Sequence, residues 1–162
     1  MNEQTNTNRG RRGLERRLLV AVDESENSRR TVMYVADFFG SDQDVYVTLL
    51  SIIPEPSEDY FPTDRERREW LRGKEEAMRT VLAEYGEILL GGGFQARQIE
   101  TRLSIRPCVS IADAILEEQE NLRCCIVVVG RRGITHTEEF VFGSTSNKIL
   151  HHAKHCAVLV VE

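Results

Sequence analysis

Residues 124–147 read CCIVVVGRRGITHTEEFVFGSTSN, and the interpretation of the whole chain starts from them. Ile126 to Val129 form a continuously apolar, β-branched run, the pattern of a strand buried on both faces rather than one. Gly130 ends that run, and Gly133 follows after Arg131 and Arg132. Glycine carries no Cβ, so the backbone can turn sharply there and approach a ligand closely. Gly143, Ser144, Thr145 and Ser146 then open a helical pattern, with Ile149, Leu150 and Ala153 expected on one face. A helix N-terminus presents unsatisfied N–H groups and a partial positive charge, which suits phosphate. Hydroxyl side chains at that point can cap the helix or donate to a ligand.

Outward from this stretch, apolar runs alternate with helical periodicities. Residues 18–22 are expected as a first strand, ended by Asp23. Ser25 is placed to cap a helix whose inner face carries Val32, Val35, Ala36 and Phe39, with Gly40 as its stop. Residues 45–53 predict a second strand closed by Pro54, and residues 54–63 a loop with three prolines. Leu71, Met78, Leu82, Tyr85 and Leu89 mark a long helix over 64–90. Gly73 weakens that helix, and the triple glycine at 91–93 stops it. Because the triple glycine follows a helix, it does not have the setting of a phosphate loop. Residues 96–103 predict a weaker strand. Pro107 suits the first turn of a helix with Ile111, Ala112, Ile115, Leu116 and Leu122 inward. Residues 156–161 form the last strand. The alternation predicts an α/β protein: an open five-stranded, mostly parallel, doubly wound, Rossmann-like sheet with helices on both faces.

The spacing G-x2-G-x9-G-S-T at 130–145 resembles the ATP-binding signature of the universal stress protein family (UspA-type), in its ATP-binding subgroup. The N-terminal LLVAVDESENS is similar to that family's first strand, aspartate and serine-headed helix. The C-terminal HHAKHCAVLVVE is similar to its apolar last strand, with Cys156-Ala157 in place of a common Cys-Pro. The resemblance implies a family domain over 16–162 and strand order 3-2-1-4-5. In a doubly wound sheet of that order, ligands bind beyond the carboxyl ends of the first and fourth strands. The resemblance further implies ATP as ligand, with ADP or AMP as alternatives and Mg2+ as a companion cation. Asp23 would contact the nucleoside, though it also suits a helix-capping turn. Ala21 and Ile52 would line the adenine slot, positions that simple core packing explains equally well, and Val129 would belong to the same ligand site. Gly130 and Gly133 would admit ribose and phosphates, and Gly143, Ser144 and Thr145 would bind phosphate. Arg132 reaches either a phosphate or solvent. Family dimers pair through the last strand, so a homodimer is implied.

Composition sets outer bounds. At 162 residues the chain suits one domain. Its net charge of −5 argues against nucleic acid as main partner. Residues 1–15 are polar and arginine-rich, expected as a disordered tail. They lack aromatics to stack on bases. No apolar run approaches membrane-spanning length, and no apolar leader segment is evident, so a reducing cytoplasm is the expected compartment. His151, His152 and His155 lack a third ligand at known spacing and suit a solvated helix end. No Walker A sequence and no nucleophile–base motif is present. A phosphate cradle without an evident general base points to a binding protein, with slow hydrolysis open only if Asp23 orients a cation or water. The expected function is a nucleotide-responsive regulatory or protective factor; the alternative is a dimeric scaffold that uses no nucleotide.

Overall fold

Short β-branched runs, too brief for helices, build the middle of the molecule. In the computed structural model, which describes residues 16–107, 110–131 and 144–162, they are β1 (Arg17–Ala21), β2 (Tyr46–Pro54), β3 (Ile99–Arg106), β4 (Ile126–Gly130) and β5 (Ala157–Val161). Between them run α1 (Glu26–Phe39), α2 (Asp64–Gly91), α3 (Ile111–Leu122) and α4 (Ser144–His152). The strand order is β3-β2-β1-β4-β5, and every pairing is parallel. The expected doubly wound α/β sheet is therefore present, wholly rather than mostly parallel. The expected tail, residues 1–15, lies outside the described residues.

Alternation along β1 sorts the core into two layers. Leu18 and Val20 face one side, where they pack with Val32, Val35 and Ala36 of α1 and Met78, Leu82, Tyr85 and Leu89 of α2. Leu19 faces the other side, with Ala112 and Ile115 of α3 and Ile149 of α4. β1, β2 and β4 are thus covered on both faces, which is why they read as unbroken apolar runs. Each buried Leu or Val contributes about 1.5–3 kcal/mol through removal of apolar surface from water. Leu18, Leu19, Val20, Val127 and Val128 are all essentially inaccessible, so the central strands carry much of this burial.

Helix starts follow cap chemistry. Ser25, Thr63 and Ser110 each accept a bond from the backbone N–H three residues on. Ser110 starts α3 four residues later than the proline signal implied, and Pro107 stays outside the helix. Residues 96–98 are a 3-10 turn rather than the start of β3. The Gln98 side chain explains it. Its oxygen accepts from Gln95 N–H, and its Nε2 donates to the carbonyls of Asp42 and Val45. Such local competition removes a residue from the ladder. Two apolar assignments also change. Leu150 and Ile111 are 41% and 37% exposed, not inward. α4 ends at His152 and His155 adopts φ 56°, so His151 and His155 do not share a helical face.

The α1 and α2 C-terminal ends meet through glycine. A Cβ on Gly92 would lie 2.5 Å from Ala36 Cβ, and one on Gly40 would lie 1.9 Å from the Gly92 carbonyl oxygen. Gly73, by contrast, would carry a Cβ into open space, and α2 runs through it unbroken. Gly92→Ala is expected to destabilise the fold by about 1–3 kcal/mol through overpacking. Gly73→Ala is expected to stabilise it by about 0.5–1 kcal/mol through helix propensity. Urea denaturation of the two variants checks both signs.

Candidate functional site

The β1–β4 pairing sets Ala21 beside Val129, so the chain leaves both strands at the same level of the sheet. An open crevice forms there, holding about 740 Å3 of empty space, part of it open to solvent. Ala21, Asp23, Ile52, Val129, Gly130, Ser144 and Thr145 all line it. These seven were singled out by sequence, and two stretches over a hundred residues apart supply most of them. Arg132, Gly133 and Gly143 lie outside the described residues.

The crevice has two chemically distinct parts. Leu50, Ile52, Ala21 and Val129 belong to the sheet face that packs on α3, and Ile115 closes this apolar slot. Ile111 sits at its rim, which accounts for its exposure. Opposite in character are the hydroxyls of Ser25, Ser28, Ser144, Thr145 and Ser146 and the amide of Asn27. Among the described lining residues Asp23 bears the only formal charge. Ser144 to Ser146 form the first turn of α4, where the helix field is positive. α4 is held in place by Lys148, whose Nζ donates to Asp113 Oδ2 (2.7 Å) and to the capping Ser110 Oγ (3.1 Å). The Lys148 ammonium keeps the Asp113 carboxyl below its ordinary range.

Asp23 sits in a hydrogen-bond network with the start of α1. Its Oδ1 accepts from Ser25 N–H (2.9 Å) and Ser28 Oγ–H (2.7 Å), while its own N–H donates to Ser28 Oγ (2.9 Å). The turn role open to this aspartate is thus realised, and it orients the carboxylate at the crevice. From the far side of α1, Tyr85 Oη donates to the Asp23 carbonyl (2.8 Å). Burial, reinforced by the Asp23 charge, pushes the Tyr85 phenol up to about 12.

Gly130 has a packing reason as well as a place in the lining. A Cβ there would lie 2.8 Å from Thr31 Oγ1 and 3.3 Å from the Asn27 carbonyl oxygen. Thr31 is buried and donates to that same carbonyl (2.8 Å), so it has little room to give. The glycine therefore lets α1 lie directly against the end of β4.

Ser28, Asn27, Ile111 and Ile115 were not expected as site residues. Topology was the available signal for the first two: a helix that follows a strand in this fold starts at the strand's carboxyl end. Periodicity assigned the isoleucines to the core, and nothing local distinguishes a rim position. Cys124 lies at the opposite end of β4, buried within the apolar layer, and burial raises its thiol to about 11. Among the described residues no helix is long and apolar enough to cross a membrane, and no group of three or more His, Cys, Asp or Glu side chains could hold a metal.

A doubly wound parallel sheet with a crevice at its strand-order reversal defines a Rossmann-like α/β protein. The model of the universal stress protein family matches residues 15–162, and the chain belongs to that family. Its fold is similar to the universal stress protein UspA from Lactobacillus plantarum, at 18% identity and TM-score 0.73, covering 90% of this chain and 97% of that one. It is also similar to the universal stress protein from Archaeoglobus fulgidus in complex with dAMP, at 18% identity and TM-score 0.64, covering 92% and 99%. A third likeness is to a universal stress protein in complex with cAMP, at 20% identity and TM-score 0.67, covering 91% and 97%. No curated protein matches by sequence.

Gly130→Ala is expected to cost about 1–3 kcal/mol, and Thr31→Ala in the same chain to recover part of that loss, read by urea denaturation. An alkaline effect follows from Tyr85. The unfolded phenol titrates at 10.0 and the folded one at about 12. Its contribution is therefore complete below the unfolded value and is lost as pH rises through the folded one. Wild-type stability should fall between about pH 9 and pH 12 more steeply than that of Tyr85→Phe, measured by denaturant midpoints across the range.

Proposed function

We propose that the crevice binds an adenine nucleotide, ATP foremost with ADP or AMP as alternatives, and that the protein acts as a nucleotide-responsive regulatory or protective factor. The observation behind it is the meeting, in one crevice, of an apolar slot, a fixed carboxylate and a hydroxyl-rich helix N-terminus. The slot suits a purine, which is flat and largely apolar. Asp23 suits the ribose hydroxyls as an acceptor. Ser144 and Thr145, at the positive end of α4, suit phosphate. The negative charge of Asp23 opposes a triphosphate, and Mg2+ would offset it. Two family members of the same fold carry dAMP and cAMP, which supports the ligand class.

Binding rather than turnover is favoured. Among the described lining residues Asp23 is the one candidate base, and its Oδ1 is already engaged by two donors. Efficient general-base catalysis needs a group free to take a proton at the reacting atom. A cytoplasmic setting fits the buried, reduced Cys124.

A second reading, a homodimeric scaffold, is favoured by β5. It lies at the edge of the sheet and offers one row of backbone groups to another strand. Pairing through β5 is compatible with nucleotide binding, since the crevice opens between β1 and β4.

The two readings separate on one measurement. Heating the purified protein and chromatographing the supernatant should release an adenine nucleotide, and calorimetric titration of stripped protein should show binding. Asp23→Ala should weaken that binding by about tenfold or more, as loss of a charged hydrogen-bond partner does. A protein that carries and takes up no nucleotide, yet remains dimeric by light scattering, would leave the scaffold as its function.

A further inference from the structure

The β1–α1 connection that carries Asp23 is tied down from a distance. Val22 N–H makes the last sheet bond, to the Leu50 carbonyl (2.9 Å). Beyond it, the described backbone bonds of Asp23 go to side chains. Its N–H donates to Ser28 Oγ, and its carbonyl accepts from Tyr85 Oη at 2.8 Å. A longer contact of 3.4 Å joins the same hydroxyl to the Ser25 carbonyl, so one phenol spans both ends of the turn. Tyr85 belongs to α2, 62 residues away from Asp23. Its ring is 3% exposed and packs among Val32, Val35 and Leu82 in the apolar layer. A ring fixed in a close-packed core holds its hydroxyl at one height above the sheet.

We propose that Tyr85 is a positioning residue of the crevice: through the Asp23 carbonyl it fixes where the Asp23 carboxylate stands. The inference rests on the nucleotide reading of that same crevice. Tyr85 is not among the residues that line the crevice, so it acts through Asp23 and not on the ligand. The carboxylate is held from both sides of its own residue. Ser25 N–H and Ser28 Oγ–H set its rotation, and Tyr85 sets the height of the backbone from which it springs. Removing the phenolic oxygen leaves the carbonyl without its donor and lets the turn relax while the ring still fills its place. A site held loosely by its supporting groups binds less well, because the ordering cost then falls on the ligand.

The test is a double-mutant cycle on full-length protein, with ATP and AMP titrated separately below the unfolding temperature. Tyr85→Phe should raise Kd by about fivefold, the worth of one net hydrogen bond. Asp23→Ala/Tyr85→Phe should bind no more weakly than Asp23→Ala alone, because the phenol works through that carboxylate. Leu82→Val, a core change one turn away on α2, should lower stability without moving Kd. Equal Kd for Tyr85→Phe and wild type overturns the inference and leaves the nucleotide reading intact. So does an undiminished Tyr85→Phe effect in the Asp23→Ala background, or a Leu82→Val effect as large as that of Tyr85→Phe. Absence of binding by the wild type removes the nucleotide reading and the inference together.

Discussion

The parallel pairing of β1 with β4 is the constraint on which the rest depends. Successive strands usually neighbour one another, but here the chain returns to the open side of its first strand after building β2 and β3 on the other. The helices beside this junction then leave on opposite faces, α1 with α2 and α3 with α4. Among the described residues, the carboxyl ends of the two central strands border an open crevice. A crevice is the geometric result of that reversal, and the register of Ala21 beside Val129 sets its two walls level.

That pairing makes demands on neighbouring residues. α1 must cross close to the end of β4, and the absence of a side chain on Gly130 permits it. α2 must in turn approach α1 closely, which Gly92 and Gly40 permit at the far end of the pair. The glycines at the crevice and at the opposite rim therefore share a cause: backbone packed nearer to a neighbouring element than a Cβ allows. Gly130 thus has a packing duty as well as a place in the lining of the crevice.

The polar wall of the crevice shows how a carboxylate is kept in a largely apolar neighbourhood. A buried or half-buried acceptor is costly unless bonded. The turn at Asp23 has left the strand ladder, so its donors must come from elsewhere. Ser25 at the N-cap of α1 supplies a backbone N–H, Ser28 in the first turn a hydroxyl, and Tyr85 a hydroxyl from α2. The same bonds that satisfy the chain also hold the carboxylate toward the crevice. Stability of the turn and readiness of the site are in this way one property.

Much of this was legible in the residues. Strand and helix identities followed from apolar periodicity, because two-sided burial and one-sided burial leave different local patterns. Gly130, Ser144 and Thr145 stood out through the glycine–serine spacing and Asp23 through its place after the first strand, whereas Ala21, Ile52 and Val129 followed only from the family resemblance; all seven line the crevice. The start of β3 and of α3 was misjudged because Gln98 and Ser110 act through bonds that periodicity does not register. Ile111 read as core and proved to be rim, since a wheel tells which side a residue faces but not where the covering layer ends. By itself the sequence determined the order of elements, their inner faces and the chemistry available at the end of β4. Only the tertiary structure decided that Asp23, Ser28 and the α4 hydroxyls share one crevice, that Gly130 makes room for Thr31, and that Tyr85 reaches Asp23. Those facts depend on distances between segments far apart in the chain, which packing sets and no local pattern encodes.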